Sequence, residues 1–373
     1  MRLALNLFII LIFFSCKKKE KIVETEKEVV IYQEPIYKWS RVKFFDQQQS
    51  SDIKNTVNLS GNRLFFYSTN NLFAYDSASN SFQDNLNTTP TDLQVIPVIN
   101  NNYCTLLSHG FIRFVPTTTT IPVSWQNSSF INILNLDSAF YDFHFLSRYK
   151  TGEMIGNENN LIVPYHTASS MSNINYLCIK LKKYTQNSST PSTTFIVDTF
   201  KKIKTNPSNT PQSDYTFSAI GSNFLVRLND SKNYIINPAF DTILINNNWF
   251  FKTAFKYNNK QYAIVYTPSL KLASTIDEGL TWVPEYDLGS SYEYFNYSVV
   301  GNKLIAYTSN PYVNSNNIYE IILSPSGGQV KELVNDGLNN VTIRSVNMVN
   351  NRVFISTNNG VFERAYSEFI EYK

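Results

Sequence analysis

Side chains able to do chemistry are few and scattered in this sequence. The three cysteines are Cys16, Cys104 and Cys178, and the three histidines are His109, His144 and His166. No two histidines stand at the HxH or HxxxH spacing that would put two ligands on one face of an element. His144 lies in Tyr141-Asp142-Phe143-His144-Phe145, whose alternation predicts a strand histidine satisfied by its neighbours rather than a ligand. No phosphate-cradling glycine loop, dinucleotide fingerprint, GxSxG elbow or calcium loop occurs. The expectation is no catalytic residue, no metal and no cofactor. Cys104 and Cys178 each sit in an apolar, strand-like run, which favours buried free thiols, with a disulfide as the alternative in an exported chain.

Cys16 is placed differently. Met1-Arg2 gives a positive start, Leu3 to Phe14 is almost wholly apolar, Ser15 is small, and Lys17-Lys18-Lys19 follows the cysteine. This is the shape of a secretory signal. The run is too short for a spanning helix, which needs about 20 apolar residues. Phe13-Phe14-Ser15-Cys16 resembles the cleavage site of bacterial lipoprotein signals, departing from it at Phe13, where that family usually has leucine. The resemblance implies that 1–15 is a signal peptide, that Cys16 is the lipidated first residue of the mature chain, and that membrane lipid is a partner through Cys16. An ordinary secretory signal with a chance cysteine, or an uncleaved anchor, is the alternative. Acyl chains worth about 0.8 kcal/mol per buried CH2 would hold the chain on a bilayer. The location expected is the cell envelope, anchored at the outer membrane, with lysines after Cys16 favouring the periplasmic side over the cell surface.

Residues 16–38 read as the lipidated cysteine and a charged linker. Lysines and glutamates alternate there, with too few apolar residues to build a core, which predicts a solvated stalk with room for one helical turn.

The remainder, 39–373, reads as one all-β domain. Apolar residues make up 43% of the chain and aromatics 15%, enough for a large core of strand-forming side chains. The net charge of +3, with no basic block in the body, argues against a nucleic-acid partner. A turn followed by an apolar strand recurs at Gly61-Asn62, Asn101-Asn102, Gly221-Ser222, Asn258-Asn259, Gly301-Asn302 and Asn350-Asn351. The long gap after the second copy has room for more, and Lys150 to Ile155 is a candidate. Leu64 to Phe73 matches Val353 to Phe362 as strand, Ser-Thr-Asn-Asn turn, strand, near opposite ends of the chain. A period of about 40–50 residues with four short strands per unit predicts a β-propeller. Seven blades fit the length best and six to eight are allowed; two β-sandwiches are the alternative. Lys183 to Ser213 breaks the rhythm and reads as an outer hairpin on one blade.

Thr275-Ile276-Asp277-Glu278-Gly279-Leu280-Thr281-Trp282 resembles the Asp-box (BNR repeat) of sialidase-like and sortilin-like propellers, with Thr275, Asp277, Gly279, Thr281 and Trp282 in place. The resemblance implies a propeller, with a structural role for these five residues away from any reaction centre. A sialidase-like glycoside hydrolase is the competing function. Arg113 would be its early arginine and Tyr292-Glu293-Tyr294 its nucleophile pair, although the Arg-Ile-Pro core of that family is absent. The favoured function is non-enzymatic: a membrane-anchored propeller that docks a protein or glycan of the envelope. Tyr286, Tyr292, Tyr294 and Tyr312 are its candidate contact residues, because exposed tyrosines anchor interfaces well. The alternative is that these rings belong to the core.

Overall fold

The structure, a computed structural model, describes residues 18–373 except 26–27, 36–37, 49–51, 59–61, 69–70, 87–93, 100–102, 109, 117–128, 142–153, 158, 168–169, 187–191, 205–216, 228–231, 246–247, 290–294, 309–315 and 325–326. Among the described residues the body forms six four-stranded sheets and one five-stranded sheet, all antiparallel. In chain order the sheets span 53–86, 94–132, 140–203, 217–244, 250–287, 295–332 and 343–365.

The fourth to seventh sheets each begin at a tight hairpin built by the recurring turn, at 221–222, 258–259, 301–302 and 350–351. Asn258, Asn259, Asn350 and Asn351 have φ of 46°, 62°, 44° and 59°. These left-handed values match the twist of the strands on either side, and asparagine adopts them at low cost. The repeat heard in the sequence is therefore the hairpin of the first two strands. The candidate at Lys150 to Ile155 falls just short of its turn. Ile155–Asn157 is the innermost strand of the third sheet, and it pairs with Asn160 to Ile162 across residues 158–159.

The first strands line up around an axis. Ile53–Asn58 contacts Gln94–Ile99, which contacts Ile155–Asn157, and the chain of contacts runs on through Phe217–Ile220, Phe250–Tyr257 and Phe295–Val300 to Ile343–Val349. Ile343–Val349 then touches Ile53–Asn58, so the ring is closed and the fold is a β-propeller. Hydrophobic cores lie as wedges between neighbouring sheets. One joins Phe66, Phe73 and Tyr75 of the first sheet to Phe354 and Val361 of the last, and another joins Phe251 and Trp282 of the fifth to Ile220 and Ile235 of the fourth. Middle strands are covered on both faces. Leu64, Phe65, Phe66 and Tyr67 are consequently all buried in succession, whereas Thr242–Leu244 on an outer edge is exposed throughout.

Polar turns stitch the wedges together. The Asn350 side-chain amide donates to Ser77 Oγ at 2.8 Å, Arg352 donates to Asn80 Oδ1 at 2.7 Å, and the Tyr366 hydroxyl donates to Asn302 Oδ1 at 2.7 Å. In each case the first hairpin turn of one sheet meets the far side of the next.

The last sheet is completed from the other end of the chain. Ser40–Arg41 pairs with Phe362 and Glu363 as its outermost strand. The Val42 amide donates to the Val361 carbonyl at 2.8 Å. Trp39 packs edge-on to Phe369, under the Arg364 guanidinium. Arg364 donates to the Val334 carbonyl at 2.8 Å, and Lys38 pairs with Glu371.

In the stalk, where the sequence left room for a helical turn, Lys18–Thr25 and Glu28–Pro35 form a two-stranded antiparallel ribbon, registering Ile22 with Ile31 and Val23 with Val30. The β-branched residues favour extended backbone, and pairing brings them side by side. No helix among the described residues is long and apolar enough to cross a membrane.

Candidate functional site

The sequence motif at Thr275 to Trp282 folds into the turn between Ser269–Thr275 and Val283–Asp287, the third and fourth strands of the fifth sheet. All five motif residues converge there. The Asp277 carboxylate accepts from the Thr275 hydroxyl at 2.7 Å, the Thr281 amide at 2.9 Å and the Thr281 hydroxyl at 2.6 Å. Thr275 Oγ1 accepts from the Gly279 amide at 3.0 Å, and the Trp282 indole donates to the Gly279 carbonyl at 2.8 Å. Burial opposes ionisation of Asp277, but the Thr281 and Thr275 donors outweigh it and hold the carboxyl below its ordinary value. Both carboxylate oxygens are engaged within the turn, so the group ties the backbone rather than offering a proton.

The same turn reaches the preceding sheet. Ser222 Oγ donates to the Glu278 carboxylate at 2.7 Å, and the Asn223 side chain donates to the Glu278 carbonyl at 3.2 Å. Gly279 lies over Ile220 and Ile235 of that sheet. The sequence pattern marks the turn, but nothing in it marks Ser222 or Asn223, over 50 residues away.

The other expected residues are dispersed. Tyr286 is half-buried, packed against the core between the fifth and sixth sheets and beside Gly328. Tyr292, Tyr294 and Tyr312 lie outside the described residues, as do Cys16, His109 and His144. Arg113 is on the third strand of the second sheet, its guanidinium 5.1 Å from the centre of the Phe130 ring. His166 is on a strand of the third sheet, opposite Tyr141.

Sequence reasoning missed a buried polar cluster in the third sheet. The Tyr165 hydroxyl donates to Asp137 at 2.5 Å, the Ala139 amide donates to the same carboxylate at 3.1 Å, and Lys202 pairs with it at 3.1 Å. Burial opposes ionisation of Asp137, yet these partners keep its carboxyl below its ordinary value. Burial, and then the Asp137 charge, push the Tyr165 hydroxyl up. The cluster fastens the loop before the third sheet to its second and outermost strands. Its members are 28 or more positions apart, and no local pattern joins them.

Cys178 is a free thiol, fully buried on the longest strand of that sheet, Ser170–Gln186. Burial pushes its pKa up to about 12. The fold accepts only the neutral thiol, so its contribution is whole below the ordinary thiol range near 8.5 and is lost as pH rises from there to about 12. In the folded chain Cys178 is expected to resist Ellman's reagent at pH 8. Unfolding free energies from urea denaturation between pH 8.5 and 10.5 are expected to fall, by up to about 1.4 kcal/mol per pH unit from this group. Cys178→Ala should remove that part of the slope.

No protein-family model matches the chain, and no curated protein does. Solved structures do. The extracellular domain of BT4673 from B. thetaiotaomicron aligns with a TM-score of 0.54 and 10% identity, covering 96% of this chain and 46% of that one. Another crystal structure of the BT4673 extracellular domain gives 0.50 and 11%, covering 88% and 39%. PorZ, a surface component of the type-IX secretion system of Porphyromonas gingivalis, gives 0.48 and 8%, covering 89% and 38%. At these identities the likeness to the BT4673 domain is one of fold, in agreement with the closed ring of sheets. The chain spans less than half the length of each of these neighbours.

Proposed function

We propose that this chain is an exported, lipid-anchored propeller that docks a protein or glycan of the cell envelope without catalysing a reaction. Cys16 carries the lipid, residues 16–38 hold the body off the membrane, and the outer membrane is the site, on its periplasmic side. The five-stranded sheet at 140–203 is the seventh blade, irregular because its inner position is shared by Phe140–Tyr141 and Ile155–Asn157. The motif at Thr275 to Trp282 is the structural Asp-box of the fifth blade.

One observation carries the docking reading: among the described residues, four of the carboxylates that could act as acids or bases are tied into local networks. Asp277 is held by its own turn, Asp137 by Tyr165 and Lys202, Glu285 by Ser274 and Lys260, and Glu320 by Lys303 and Tyr372. What the ring presents is its outer surface. The likeness to an extracellular domain of BT4673 supports export.

Two measurements test this. Cells fed labelled palmitate should label the wild-type chain and move it into the detergent phase of a Triton X-114 partition, whereas Cys16→Ser should remain unlabelled. Equal label in Cys16→Ser would overturn the anchor. Cross-linking in intact envelopes followed by affinity capture should return a defined partner. A chain that captures none would overturn the docking reading.

A further inference from the structure

The outermost strand of a propeller sheet is an edge, and its unpaired N–H and C=O groups can template another strand. In six of the sheets that strand is short, from two residues at Ser40–Arg41 to six at Ser81–Leu86. The exception is Ser192–Ile203, 12 residues long, carried by the 17-residue strand Ser170–Gln186. It forms the outer hairpin expected near Lys183 to Ser213, although its first strand begins well before Lys183.

This hairpin combines apolar exposure with one sign of charge. Ile196 and Phe200 on the edge strand are 43% and 45% exposed, and Tyr184 on its partner is 50% exposed. Residues 170–204 hold six lysines and one acid, Asp198, in a chain whose net charge is only +3. Lys201 and Lys202 are already paired, the first with exposed Asp241 at 3.0 Å and the second with buried Asp137 at 3.1 Å. Lys180, Lys182, Lys183 and Lys204 are exposed. The register sets Lys182 opposite Ile196 and Lys180 opposite Thr199 on one face, and a bulge between Lys180 and Leu181 puts Phe200, opposite Ile179, on the other face.

We propose that Ser192–Ile203 receives an extended, acidic segment of a partner protein as an added strand. This names the partner chemistry of the docking reading and rests on it. The backbone groups of an edge are satisfied by another backbone and not by a lipid headgroup. A second copy of this chain is disfavoured, because its lysines would face these lysines. An acidic segment meets Lys180 and Lys182 on one face with attraction, and its alternate apolar residues cover Phe200 on the other.

The test uses the full chain and two labelled eight-residue peptides, one alternating Glu with Val and one alternating Lys with Val, read by fluorescence anisotropy. The acidic peptide is expected to bind and the basic one not. Lys180→Glu/Lys182→Glu/Lys183→Glu should weaken binding about tenfold or more with an unchanged melting temperature. Phe200→Ser should also weaken it, and the bound peptide should slow amide hydrogen exchange within 192–203. The proposal fails if the acidic peptide does not bind, if the basic peptide binds equally well, if the triple variant binds like wild type, or if protection falls elsewhere. Binding to phosphatidylglycerol vesicles in place of the peptide would assign the patch to a membrane and overturn the proposal. In envelopes, a cross-linked partner that the triple variant still captures would sink this edge and leave the docking reading intact. No partner for the wild-type chain would sink the docking reading itself.

Discussion

Trp39→Ala is expected to lower the unfolding free energy by about 3–5 kcal/mol, the range for truncating a buried large aromatic. Trp39 is 2% exposed, and its neighbours in the core include Leu338, Val341, Phe362 and Phe369. The Phe369 ring is 5.9 Å away at 76°, and the Arg364 guanidinium lies 5.7 Å from the indole. Removing the indole leaves a cavity and strips one cover from a buried cation. It also loosens the entry to Ser40–Arg41, whose two-residue pairing is too short to hold alone. The indole N–H has no hydrogen-bond partner, so Trp39→Phe gives up packing volume but no bond, and a smaller loss is expected. Urea denaturation of both variants checks this. A loss below about 1 kcal/mol for Trp39→Ala would mean that the N-terminal strand adds little to the ring.

Gly279→Ala is expected to cost about 2–5 kcal/mol, from two sources. Its φ of +93° lies where a side chain is penalised, by about 1–2 kcal/mol. An added Cβ would sit 2.9 Å from Ile235 Cδ1 and 3.3 Å from Ile220 Cδ1, both fully buried, and overpacking of this kind costs about 1–3 kcal/mol. Gly289 separates the two effects. Its φ is +75°, yet nothing lies within 4 Å of the position a Cβ would take, so Gly289→Ala should show the backbone cost alone. Thermal unfolding of both variants, with Ile235→Val added to Gly279→Ala, measures the seam. If the two alanine variants lose the same stability, the turn does not press on the neighbouring sheet.

Those two sites also show how far the sequence can be read. The Asn-Asn and Gly-Asn turns were legible because each hairpin carries its own local signal: residues that tolerate positive φ, then an apolar strand. The Thr275 to Trp282 turn was legible for the same reason, since its carboxylate, glycine and tryptophan all act within eight residues. The third sheet was blurred because its inner strand is three residues long, too short for a pattern. The local conformation of the stalk was not legible, because alternating Lys and Glu suits a solvated helix as well as a ribbon, and only cross-strand register sets Ile22 opposite Ile31. The seams were invisible. Asn350 and Ser77 are 273 positions apart, and neither residue type announces the other. The same holds for Trp39 and Arg364, and for Asp137, Tyr165 and Lys202.

The strand that finishes the last sheet is among the first parts of the body to leave the ribosome, and its partner at Gly360–Ala365 is nearly the last. A chain still being made can stack its sheets one by one but holds an open arc, with an unpaired margin at each end. Only the complete polypeptide can click shut, so its final step waits on the largest sequence separation in the fold, where closure is slowest. Chains cut short before residue 360 would keep those raw margins permanently, which makes them prone to stick to one another and easy prey for quality-control proteases.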